Sequence, residues 1–156
     1  MNCGLNPRYI GLTSPVDTTS TTVNSDVINA GKCNWVDFLI YFGTITGDTV
    51  VVTVEECDDT TPSNHTAIAF NYRKGAAVGT DTDGAITANA STGLTIADSD
   101  DDKLLTVSVD PATLTDGYPY LRVVADPGGS ASAVEIAIIA VVEPKYAAET
   151  NVSVVT

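Results

Sequence analysis

The run "WVDFLIYFG", residues 35–43, repeats its apolar side chains with a period of two. Val36, Phe38, Ile40 and Phe42 fall on one face, and Trp35, Asp37, Leu39 and Tyr41 on the other. That spacing belongs to a β-strand, and four large apolar residues on one face require a core to cover them. The same period recurs along the chain. "TVVVTVEEC" puts Val50, Val52 and Val54 on one face, with Val51, Thr53 and Glu55 opposite. With "TITGD" between them, the two runs predict a hairpin. "HTAIAFNYR" turns Ile68, Phe70 and Tyr72 inward, and "KLLTVSVD" aligns Leu105, Val107 and Val109. "YPYLRVVAD" and "AVEIAIIAVVE" are the last two strands, and the glycines of "DPGGSAS" between them predict a tight reversal. Asp110 is placed to cap one helical turn, with Pro111 at its first position. No window of helix length carries a 3.6-residue apolar stripe, and no repeat of fixed period is visible.

These signals predict an all-β fold in one domain, residues 1–156: an antiparallel β-sandwich or jelly roll of about eight strands. Residues 23–143 form the β core. Residues 1–22, rich in Pro, Thr and Ser, read as an extended N-terminal arm, and 144–156 as a C-terminal tail. Residues 74–103 read as a long excursion with short strands around Ile86 and Leu94. Arms of this kind fray unless a partner holds them.

Composition narrows function more than fold. Hydrophobic residues make up 44%, which excludes a disordered chain. The net charge is −13, from 20 acidic and 7 basic residues, and it opposes binding to nucleic acid or to an anionic membrane surface. No basic start followed by an apolar run marks a signal peptide, and no apolar stretch reaches the ~20 residues of a membrane span. Cys3, Cys33 and Cys57 are odd in number and fit no CxxC spacing, so reduced thiols are expected rather than a Cys33–Cys57 disulfide.

The densest charge is "ADSDDDK". Asp98, Asp100 and Asp102 have the spacing of the first three ligands of an EF-hand. Lys103 then stands where glycine belongs and Val109 where the bidentate glutamate belongs, so that site fails. A looser cation loop on the same three aspartates stays open beside a solvated acidic turn, which the residues favour. "DTDG" at Asp81–Gly84 reads as a turn. His65, the only histidine, lies in a polar loop with no GxSxG elbow in the sequence, and reads as a surface residue. One Trp and three Phe are few for a sugar cleft, and Trp35 reads as core or sheet packing. No zinc spacing, P-loop or dinucleotide fingerprint occurs. The expectation is therefore no enzyme, no cofactor and no metal.

Two stretches resemble a known family when taken together. They are "LNPRYIGLTSPVD" near the start, and "DGYPYLRVVADPGGSAS" followed by "EIAIIAVVEPKYAAE" near the end. They are similar to head decoration (auxiliary or cement) proteins of tailed bacteriophages. The resemblance covers both ends and the strand pattern between them, and it carries no catalytic motif. It implies a structural virion protein, a homo-oligomer with a trimer favoured. Such a protein would bind the outer surface of the major capsid protein shell and be assembled in the bacterial cytoplasm. It implies arm contacts through Asn6, Pro7, Arg8, Tyr9, Ile10, Lys145 and Tyr146. Packing of these residues on their own sandwich is the competing expectation. Two other functions stay open: a carbohydrate-binding or adhesin-like β-sandwich displayed on a virion, and a tail-tube or connector component.

Overall fold

A computed structural model describes residues 7–47, 49–129 and 133–146. Among them twelve strands form, with three single turns of 3-10 helix and no α-helix. The strands are β1 (Arg8–Thr18), β2 (Val23–Asn24), β3 (Ile28–Asn29), β4 (Cys33–Thr46), β5 (Val50–Cys57) and β6 (His65–Ile68). They continue with β7 (Phe70–Lys74), β8 (Thr87–Asn89), β9 (Leu94–Ile96), β10 (Leu104–Val109), β11 (Tyr120–Pro127) and β12 (Ala133–Pro144). All pairing is antiparallel. One sheet has the order β1-β12-β4-β10-β7-β8. The other has β2-β11-β5-β6, with β3 following β2 along β11 and β9 lying beside β6 along β5.

The period-two faces meet in one apolar interior. Val36, Phe38, Ile40 and Phe42 of β4 are buried there with Ile136, Ile138, Ala140 and Val142 of β12 and Leu105, Val107 and Val109 of β10. The second sheet contributes Val50, Val52, Val54, Leu121, Val123 and Ala125 to the same cluster. Each large side chain moved out of water there contributes about 1.5–3 kcal/mol. Phe70 is buried and Ile68 and Tyr72 pack against the cluster, as their alternation predicts. Asp110 accepts a hydrogen bond from the Ala112 N–H at 2.9 Å and caps the turn Pro111–Thr113, also as predicted.

Four expectations require correction. The β4–β5 hairpin does not form. Both edges of β4 are taken, by β12 and β10, so the chain crosses at Gly47 (φ 91°) and β5 joins the other sheet. The reversal between β11 and β12 is likewise a crossing: β11 pairs with β5 and β12 with β4. "HTAIAFNYR" is two strands, because the chain changes sheets at Ala69 between β6 and β7. Finally, residues 8–18 of the expected arm are β1, hydrogen-bonded along β12 from Arg8↔Val142 to Thr18↔Val134. Register shifts between Gly11 and Thr13 and between Thr13 and Val16 break its period, and Pro15 falls in the second. Bulges and proline are normal on an edge strand, where they hinder pairing with another chain. Twelve strands form against about eight expected, the surplus being pieces of two to five residues.

Past β12, the chain is tied back by Lys145, whose N–H donates to Lys32 O at 2.9 Å and whose Nζ donates to Gly31 O at 2.8 Å. Residues 147–156 of the expected tail, and Cys3, lie outside the described residues.

The Ser25–Asp26 segment joins the two sheets. Between β2 and β3 the N–H of Ser25 donates to Val123 O at 2.9 Å and its Oγ accepts from Val123 N at 2.9 Å, replacing a backbone rung. The next residue, Asp26, donates its N–H to Leu12 O of β1 at 3.0 Å. Ser25→Ala leaves the buried Val123 N–H without its acceptor. It is expected to lower unfolding stability by about 1–3 kcal/mol, read as a lower urea midpoint at unchanged slope.

Candidate functional site

The two sheets differ in what they turn outward. On the second sheet, Glu55 of β5 accepts from Arg122 Nε at 2.7 Å and lies 3.1 Å from Nδ1 of His65, which is exposed. Asp126 accepts from Thr22 Oγ1 at 2.7 Å. Gly93 (φ 94°) lays its turn on this face so closely that a Cβ would come within 2.7 Å of Val51 and 2.8 Å of Thr53. This face is polar and in part covered.

The outward face of the first sheet is apolar and open along β1, β12 and β4, and turns polar beyond them, where Ser108 and Asn71 extend one row and Thr106 and Arg73 the next. Its rows follow from the register: Tyr9, Val141 and Asp37 stand side by side, then Gly11, Ile139 and Leu39, then Ala137, Tyr41 and Leu104. Trp35 lies one row beyond Asp37, opposite Glu143. Tyr9 is 70% exposed, Tyr41 45%, Ile139 40%, Leu104 39% and Trp35 38%. Gly11 sets no side chain against Ile139. Trp35 is thus not a core residue, correcting that part of the sequence reading. Its Nε1 donates to Asp37 Oδ1 at 2.8 Å, and Ser108 Oγ donates to the same oxygen at 2.5 Å.

Two pockets open on this face. One, of about 430 Å³, is walled by Pro15, Val16, Tyr41 and Ala137, with the carboxylates of Asp17 and Glu135. The other, of about 270 Å³, is walled by Pro7, Trp35 and Val141, with Asp37 and Glu143. A bulge shapes the first. Val134 pairs with Ile45 but Ile136 with Phe42, so Glu135 faces an extra residue of β4. Gly43 makes room there: a Cβ on it would stand 2.4 Å from Glu135 Oε2 and 2.9 Å from its Cβ.

The resemblance-based contact candidates separate on this map. Pro7 lines the smaller pocket, and Tyr9 stands on the open face. Ile10 packs inward against the core, Arg8 is half-buried at the start of β1, and Lys145 holds the 30–32 turn. Tyr146 is exposed, and Asn6 lies outside the described residues. The sequence reading passed over Leu39, Tyr41, Leu104 and Ile139. The signal was available: β4 and β12 are apolar on both faces, a pattern of strands covered on both sides.

The aspartate run is a clasp. Asp100 accepts from Lys74 Nζ at 2.6 Å and lies 3.4 Å from Lys103 Nζ, and Asp101 Oδ1 accepts from the Ile45 N–H at 2.9 Å. Asp102 takes φ 57°, and Asp98–Asp100 is a 3-10 turn. The run therefore fastens the 97–103 loop to the ends of β4 and β7. Among the described residues no three His, Cys, Asp or Glu side chains converge as metal ligands. Cys33 and Cys57 are buried thiols and are not joined to each other. Burial pushes the Cys57 thiol up to about 11, against the pull of the nearby Arg122.

No protein-family profile matches the chain, and no curated protein or solved structure is significantly similar to it.

Burial works to raise the Asp100 carboxyl, but the hydrogen bond and charge of Lys74, with the Ala97 N–H and Lys103, outweigh it and hold the group below its ordinary 3.8. A depressed folded-state value gives stability that is present above the unfolded value and lost as pH falls through the folded one. Asp100→Asn is expected to cost about 1 kcal/mol at pH 7 and to flatten the decline of stability below pH 3.8, measured by denaturation across acid pH. For Cys57 the sign is opposite. The raised value favours the folded thiol below pH 9.0, and that contribution drains away between pH 9.0 and about 11. Cys57 is expected to resist a thiol reagent at pH 8 until the protein unfolds, and fast labelling of native protein would contradict this.

Proposed function

We propose that this chain is a docking module, and specifically a decoration protein of a tailed-bacteriophage head. In this reading it binds the outer surface of the major capsid shell as a homo-oligomer, most simply a trimer. The observation that carries the reading is the open apolar face of the first sheet. Strands with apolar residues on both sides are stable in water when something covers the second side, and an exposed, contiguous apolar patch marks an interaction surface. The resemblance in "LNPRYIGLTSPVD" and "DGYPYLRVVADPGGSAS" supplies the identity of the covering surface.

The strand order supports a finer reading of the fold. If the principal strands β1, β2 with β3, β4, β5, β6, β10, β11 and β12 are numbered one to eight, the sheets run 1-8-3-6 and 2-7-4-5. That order matches a jelly roll with β7, β8 and β9 inserted between the fifth and sixth strands, and it supports reading the two sheets as its sandwich. Jelly rolls serve both as capsid proteins and as lectins, so fold alone does not choose between them. The exposed Trp35 favours glycan binding as a second reading, and silence on a glycan array would remove it.

Purified shells lacking the protein are expected to take it up to saturation. Tyr41→Ser and Leu104→Ser should each weaken uptake by about tenfold, or about 1.4 kcal/mol. Val124→Ser, on the opposite sheet, should leave uptake unchanged. Failure of the parent protein to bind shells sinks the reading.

A further inference from the structure

The two pockets repeat one chemistry. Each has an aromatic ring (Tyr41 or Trp35), a proline (Pro15 or Pro7), a valine (Val16 or Val141) and two carboxylates. Trp35 and Tyr41 are six residues apart on the same face of β4, which places the pockets roughly 20 Å apart at ~3.3 Å per residue. In the larger pocket, Asp17 and Glu135 are direct cross-strand partners. Like charges directly opposite each other destabilise a sheet. Among the described residues no basic side chain pairs with either. Five of the seven basic residues are engaged elsewhere: Lys74 and Lys103 by Asp100, Arg122 by Glu55, Arg73 by Asp83 and Lys145 by Gly31.

We propose that these pockets receive arginine or lysine side chains of a partner polypeptide, two at a time and about six residues apart when the partner strand is extended. The proposal rests on the reading that this face docks, and it names the chemistry of the docked surface. An aromatic face attracts a cation, carboxylates at the rim complete its hydrogen bonds, and proline and valine walls suit the methylene stem. The net charge of −13 draws a basic surface toward the whole molecule. A neutral sugar would stack on the same rings but would leave Asp17 and Glu135 facing each other without a counter-charge.

Trp35 is the only tryptophan, so its fluorescence reports directly on the smaller pocket. The probe is a nine-residue Thr/Ser peptide with two arginines six positions apart. It should change Trp35 emission saturably and bind at least about fivefold more tightly than its one-arginine counterpart. Glu143→Gln and Glu135→Gln should each weaken it about fivefold, as should raising salt from about 0.05 to 0.5 M. Both side chains point outward, so circular dichroism of the variants should match the parent. No peptide-induced change, an affinity indifferent to both substitutions, or a response to a neutral linear glucan instead of the peptide overturns the proposal. Uptake by shells separates this from the broader reading. Full uptake of Glu135→Gln and Glu143→Gln proteins removes the basic-side-chain assignment while leaving the docking face. Peptide binding without uptake keeps the assignment and removes the shell.

Discussion

Everything in this fold depends on one apolar layer held between two sheets. β4 and β12 present Phe38, Ile40, Ile136 and Ile138 to that layer from one side, and β5 and β11 present Val52, Val54, Leu121 and Val123 from the other. Neither sheet can exist alone, because each would expose its apolar face. The chain therefore alternates between sheets, and the pairings nest: β1 with β12, β2 and β3 with β11, β4 with β10, and β5 with β6. The outermost pair joins the two ends of the described chain. Contacts this distant in sequence make folding slow, since loops must close before pairing rewards them. The small fasteners where the chain passes from one sheet to the other accordingly matter. Ser25 substitutes for a backbone rung at one crossing, and the Asp100–Asp101 clasp fixes the loop that returns to β10.

What the sequence disclosed and what it hid divide along a physical line. Alternation reports which face of a strand meets the core, and the inward sets on β4, β5 and β10 were all legible. It does not report the neighbour. A hairpin and a crossing between sheets preserve the same parity, so "TITGD" looked like a hairpin turn although both edges of β4 were already taken. β1 escaped notice for the opposite reason: its two register shifts destroy the period by which a strand is recognised. The aspartates of "ADSDDDK" showed their charge but not their partners. Lys74 is 26 positions away, on a strand that only the tertiary fold brings near.

The open face was legible in principle. Along β12 the outward positions Ala137, Ile139 and Val141 form an apolar run between Glu135 and Glu143, and along β4 Trp35, Leu39 and Tyr41 stand with a single carboxylate, Asp37. A sheet with one side in water normally carries polar residues there. The second sheet does so, with its Glu55–Arg122 pair at 2.7 Å. The contrast between the two outer faces, more than any single residue, supports the proposal that the first is a docking face.

Such a face poses a problem of its own, because it would also fit another copy of itself. The carboxylates offer a physical solution. Stacking two molecules through this sheet would set Asp17, Asp37, Glu135 and Glu143 of one against those of the other while removing water from between them. Unpaired charge taken out of water costs several kcal/mol per ion. In the proposed docking, apolar rows would provide the attraction and the acidic pockets the choice: a like-charged copy would be refused, whereas a partner bringing cations to both pockets would relieve the Asp17–Glu135 repulsion. On the proposed docking, the same residues keep copies apart beforehand and select the partner during it.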